Sequence, residues 1–270
     1  MRRPRARVLL GLAVVTVLGV AGCRSAADVG APATPAATGA VSGSITVSAA
    51  SSLTDVFTTI ARGFSRVHPG ARVTLNFGSS SVLATQIEQG APADTLAAAD
   101  PEAMDALVAA DLVAGSPTVF ARNRLTIVTK VGNPEGIRSV ADLADAGTVS
   151  LCASTAPCGK YTARVLVNAG VTIPESAVTR GTDARSTIAA VISGDADAAI
   201  VYVTDANAAG RAVTTVPIAL RAEVVAEYPI ATLASSGAPA VSAAFIEYVR
   251  SPRGQSVLRA AGFLPAAPAP

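Results

Sequence analysis

From residue 44 onward the sequence switches repeatedly between strand-like and helix-like spacing of its apolar residues, and this alternation limits the fold more than any other feature. Ser44–Ser48 (SITVS) reads as a strand, and Leu53, Val56, Phe57, Ile60, Phe64 and Val67 then fall on one helical face. His68-Pro69-Gly70 breaks that helix. Val73, Leu75 and Phe77 alternate as a half-buried strand, and Ser80–Gln89 reads as a helix closed by Gly90. The pattern continues with strand 93–97, helix 101–110, strands 125–129 and 148–152, helix 159–168, and helix 183–193 closed by Gly194. Ala198–Val203 (AAIVYV) is apolar throughout, as expected of a parallel strand covered on both faces. Val241, Ala244, Phe245, Tyr248 and Val249 mark a last long helix. Such alternation places the chain in the α/β class with parallel sheets. It leaves open whether the folded part is one doubly wound sheet or two smaller lobes.

The segment before residue 44 has a different character. Four arginines (Arg2, Arg3, Arg5, Arg7) precede an apolar run over residues 8–20, which reads as a secretory signal over residues 1–22. The run falls short of the roughly 20 apolar residues that a spanning helix needs. Val20-Ala21-Gly22-Cys23 resembles the bacterial lipoprotein cleavage box, which implies lipidation of Cys23 and anchoring on the outer face of the cell membrane. Residues 23–43 are rich in Ala, Pro, Thr, Gly and Ser with no apolar period, and are read as a flexible tether.

Charge and cysteine content exclude several functions. Without the four leading arginines, 17 of the 21 Lys+Arg remain against 19 Asp+Glu, close to −2. No basic block is left and aromatics are 4%, so a nucleic-acid surface is not expected. With one His and no second Cys pair, neither is a zinc site. Cys152 and Cys158 are an even number in an exported chain and suit a disulfide closing a small loop, with two free thiols as the alternative. A serine hydrolase would need a base beside its nucleophile; His68 stands in a turn, and there is no Gly-x-Ser-x-Gly elbow. Neither catalysis nor a cofactor is expected.

The hydroxyls are placed where an anion could be held. Ser51-Ser52 and Ser79-Ser80-Ser81 each follow a strand and open a helix, and Pro157-Cys158-Gly159 and Thr182-Asp183-Ala184 open two more. A helix start offers N–H groups without intrahelical acceptors and the positive end of a dipole, so several converging starts make an anion site without a formal positive charge. Serines at such positions also serve as plain helix caps. His68, Asp94 and Asp100 are read as turn or cap residues, and Lys130 and Arg185 are left out of the candidate site.

The segments 45–53 (ITVSAASSL) and 77–94 (FGSSSVLATQIEQGAPAD), the latter running on to Ala98-Ala99-Asp100, resemble the periplasmic molybdate-binding proteins (ModA). Residues 199–206 (AIVYVTDA) and 227–231 (EYPIA) fit the same family in the same order, and the resemblance spans about residues 44–264. It implies a type II periplasmic-binding-protein fold, with two lobes, each a mostly parallel sheet flanked by helices, joined by a hinge. Lobe 1 would comprise residues 44–121 and 230–270, and lobe 2 residues 122–229. One oxyanion, molybdate or tungstate, would lie between them, held by Ser52 and Ser80 from the first lobe, by the backbone N–H groups of Cys158 and Ala184 from the second, and by the phenol of Tyr202. The implied partner is the membrane permease of an ABC transporter, with the binding protein a monomer. The sequence departs from the family pattern at Cys158, where a small residue such as Ala is usual, and at Ala184, where Val is frequent. Leu96 and Ala98 stand where Phe and Ser are common. Neutral donors set for a large tetrahedral ion would discriminate against the smaller sulfate, though sulfate or phosphate remains the alternative ligand.

Overall fold

The structure, a computed structural model, describes residues 41–266. The predicted signal segment 1–22, Cys23 and all but the last residues of the predicted 23–43 tether lie outside the described residues. Val41 packs on the core and Gly43 opens the first strand, so the last residues of the range assigned to the tether belong to the folded part.

The first half of the chain builds β1 (Gly43–Ala50), α1 (Thr54–Val67), β2 (Ala71–Gly78), α2 (Ser80–Glu88), β3 (Thr95–Ala97), α3 (Pro101–Ala109) and the long β4 (Val113–Thr129). The second contributes β5 (Val149–Cys152), α4 (Pro157–Ala169), β6 (Val178–Gly181), α5 (Ala184–Ser193), β7 (Ala198–Tyr202), α6 (Val203–Ala209) and β8 (Thr214–Val216). The chain then returns through β9 (Val225–Leu233), α7 (Pro239–Arg250), α8 (Pro252–Ala261) and β10 (Leu264–Pro265).

The strands form a sheet in the order β2-β1-β3-β9-β4-β7-β5-β6, with β8 and β10 pairing to β4. Its two halves share β4: residues 113–124 pair with β9, and residues 125–129 pair with β7 and, in part, with β8. Helices cover both faces of each half. Phe57 and Phe64 of α1 stack edge-on against Phe245 of α7, while α2 and α3 bury Leu83, Met104 and Leu107 on the other face. In the second half α4 buries Tyr161 and Val165, and α5 and α6 bury Ile188, Val191 and Ala206 against Val128 and Val201. Among the described residues no helix is long and apolar enough to cross a membrane.

The α/β class is as expected, but the sheet is mixed rather than mostly parallel. Parallel pairing joins β1 to β2 and β3, and β5 to β6 and β7, whereas β9 and β4 run antiparallel to their neighbours. The physical reason is connectivity. β4 and β9 carry the chain from one half to the other and back, and returning strands pair antiparallel.

Candidate functional site

Four element starts meet at the junction of the two halves. Ser51 and Ser52 lie in the short 3-10 turn that leads from β1 into α1. Ser80 is the first residue of α2, Cys158 the second of α4 and Ala184 the first of α5. Tyr202 ends β7 and precedes α6. These five predicted positions, Ser52, Ser80, Cys158, Ala184 and Tyr202, line one cavity of about 10 Å³, together with Ser51, Ser79, Ala99, Pro157 and Asp183 among others. That is room on the scale of a single water or small ion, far below the roughly 300–1,000 Å³ of pockets for organic ligands.

Each position is held by its neighbours. The Ser52 hydroxyl shares a hydrogen bond of 3.0 Å with Tyr228 Oη, which is also approached by Asn123 Nδ2. Ser80 Oγ accepts the Ala99 N–H at 2.9 Å, which leaves the hydroxyl proton to donate elsewhere. Ser79, at the N-cap of α2, makes no side-chain capping bond, so the serines before α2 are not consumed as ordinary caps. At α5 the cap is Asp183, in a capping box with Ser186. Cys158 is joined to Cys152 by a disulfide whose Cα atoms are 5.8 Å apart, tying the first turn of α4 to the end of β5. A Cβ on Gly159 would meet the Ala153 carbonyl oxygen at 2.0 Å, so this turn approaches the preceding loop more closely than any side chain allows.

The electrostatics come from dipoles. Among the described residues no Lys, Arg or His lines the cavity, and Asp183 is the one charged residue that does. Ser80, Cys158 and Ala184 occupy first-turn positions whose N–H groups have no intrahelical acceptor. Tyr202 Oη is buried with no hydrogen-bond partner among the described residues. Burial pushes its phenol well above the ordinary tyrosine range, so it stays a donor. Such a set can hold an anion by neutral donors. Among the described residues no group of three or more His, Cys, Asp or Glu could hold a metal ion.

The residues left out of the candidate site have other places. Asp94 accepts from Thr46 N and Ser236 Oγ, Asp100 caps α3, Lys130 pairs with Asp197 at 2.8 Å, and His68 stacks on Phe64. Arg185 pairs with Asp55 across the junction. Sequence reasoning also passed over Tyr228 and Asn123 behind Ser52. Tyr228 lies in the EYPIA segment, whereas nothing around Asn123 marks it.

A family profile for bacterial extracellular solute-binding proteins matches residues 45–264. The molybdate-binding protein ModA of Mycobacterium tuberculosis is 39% identical over 253 residues, covering 93% of this chain and 95% of the relative. Among solved structures, the periplasmic molybdate-binding protein of Azotobacter vinelandii aligns with a TM-score of 0.75 at 18% identity, over 82% of this chain and 99% of the other. The sulfate-binding protein SubI of Mycobacterium tuberculosis has the same TM-score of 0.75 at 22% identity, over 83% of this chain and 88% of the other, and shares the fold. With that profile spanning the folded region and that identity to ModA along nearly its whole length, the chain belongs to the bacterial extracellular solute-binding proteins of the ModA type.

Proposed function

We propose that the protein captures molybdate, and equally tungstate, outside the cytoplasm and delivers it to the membrane permease of an ABC transporter. The observation that carries this reading is the convergence of first-turn amides and of the Tyr202 phenol on one small cavity that no cation lines among the described residues. A dianion there exchanges its water shell for fixed neutral donors, and cavity size then chooses among tetrahedral ions. Donors set for molybdate cannot all reach sulfate, and each buried donor left unpaired costs about 1–3 kcal/mol. Tungstate is nearly the size of molybdate and is held as well. Since the fold is shared with a sulfate-binding protein, the fold does not choose the ion.

In this reading the two halves of the sheet are lobes, residues 44–121 with 230–270 and residues 122–229, that close on the ion by bending where β4 and β9 cross between them. Ser52 and Ser80 bind from one side, and the Cys158 and Ala184 amides and Tyr202 from the other. The protein acts as a monomer by binding rather than turnover, tethered to the outer face of the membrane through lipidated Cys23. Thermal unfolding tests the ligand. An ion that binds only the folded state stabilises it by about 2.7 kcal/mol at a hundred times its dissociation constant. Molybdate and tungstate are expected to raise the melting temperature at micromolar concentration and sulfate not to; the reverse order would replace the ligand.

A further inference from the structure

Arg185 pairs with one carboxylate and acts electrostatically on a second. It is the second residue of α5, next to Ala184, and its Nη2 pairs with Asp55 Oδ2 in the first turn of α1, on the opposite half of the sheet. Its Nε is buried without a hydrogen-bond partner among the described residues, and so are both carboxylate oxygens of Asp205 in the first turn of α6. α5 and α6 pack on each other, and Arg185 is the one cation among the leading influences on Asp205. One guanidinium thus holds a carboxylate across the junction and leaves unpaired a carboxylate in its own half. Lys160 of α4 spans the junction as well, pairing with Asp100 at 3.3 Å and Glu102 at 2.9 Å, so the cleft is clasped shut in this structure.

Burial pushes Asp205 up to about 7, against the pull of Arg185 and of the Tyr202 backbone N–H at the start of α6; Asp183 and Asp55 push the same way as burial. The phenols of Tyr202 and Tyr228 face it from β7 and β9. β4 presents the neutral Asn123, bonded to Thr204, and α8 meets α6 where Asn207 donates to the Ala261 carbonyl.

We propose that Arg185 and Asp205 form a proton-linked latch on the cleft: closure over the anion moves the guanidinium from Asp205 to Asp55, and Asp205 takes up a proton from solvent in its place. The carboxylate becomes a neutral carboxyl, the proton comes from bulk water, and no other covalent bond changes. The exchange removes one negative charge from the neighbourhood of an incoming dianion. It rests on the anion-capture function proposed above.

The sign follows from linkage. In the open form Asp205, paired with Arg185, titrates in the ordinary carboxylate range or below; in the closed form it titrates near neutrality. Between those limits closure binds a proton, so affinity falls by up to tenfold per pH unit as pH rises towards about 7, then levels off. Calorimetric titration with molybdate, in buffers of differing ionisation enthalpy near pH 6, reads the proton directly. Uptake of about one proton per ion is expected in the wild type. Asp205→Asn is expected to abolish both the uptake and the pH dependence. Arg185→Gln, at a side chain 38% exposed, abolishes the uptake too and carries the test should the Asp205 variant not fold. Molybdate binding without proton uptake, or uptake unchanged in either variant, overturns the latch and leaves the capture function standing. Absence of molybdate binding at every pH overturns both.

Discussion

Tyr202 is buried with a donor that the protein itself does not use. Tyr202→Phe removes that unpaired group without opening a large cavity, so the folded state should lose little stability. Affinity for molybdate should fall roughly ten- to a hundredfold, since a hydrogen bond to a charged group is worth about 1.5–3 kcal/mol. Paired melting and calorimetric experiments separate the two effects. Ser80→Ala behaves differently, because Ser80 Oγ also accepts the buried Ala99 N–H. It should cost about 1–3 kcal/mol of stability in chemical denaturation as well as affinity. Ser52, Ser80, Cys158 and Ala184 stand at or beside helix starts that the sequence marks, whereas Tyr202, at the end of a strand, was reached only through the resemblance to a known family. The direction of a long side chain was not legible. Arg185 sits beside Ala184 in the sequence, yet only the placement of α1 shows that it reaches Asp55.

Helices were easier to read than the strands that join the two halves. α1 carries its apolar residues on one face and ends at His68-Pro69, and its start and end fall close to the sequence expectation. β4 was legible only as LTIVT, because Gly115, Ser116 and Pro117 look like a loop. In the structure the pairing with β9 shifts register between Ala114 and Thr118, so the sheet absorbs those residues as an irregularity. β9 contains Glu227 and Pro229 and reads poorly as a central strand on composition alone. At α4 the disulfide adds a constraint beyond the helix itself. Reducing it releases a short loop and should cost about 2 kcal/mol of stability on chain-entropy grounds. It also frees the turn that carries the Cys158 amide, so molybdate affinity should drop together with the melting temperature. Unchanged affinity after reduction would mean that Gly159 packing alone holds that turn.

At the scale of the molecule, two half-sheets share β4, the chain returns to the first of them through β9, and a cavity lies at their junction. The α/β class was legible from periodicity, while the mixed pairing was not, since strand direction depends on which strands return across the junction. The ion pairs Asp55–Arg185 and Asp100–Lys160 bridge that junction and describe a closed form. In solution, small-angle scattering should show the ligand-free protein to be more extended and molybdate to compact it; an unchanged radius of gyration would argue against a hinge at β4 and β9. The central claim is that neutral donors at helix starts select a large tetrahedral dianion. Calorimetric titration of the protein with molybdate, tungstate, sulfate and phosphate tests it most directly. The account predicts tight one-to-one binding of molybdate and tungstate with sulfate and phosphate weak. Equal or tighter binding of sulfate or phosphate would contradict it.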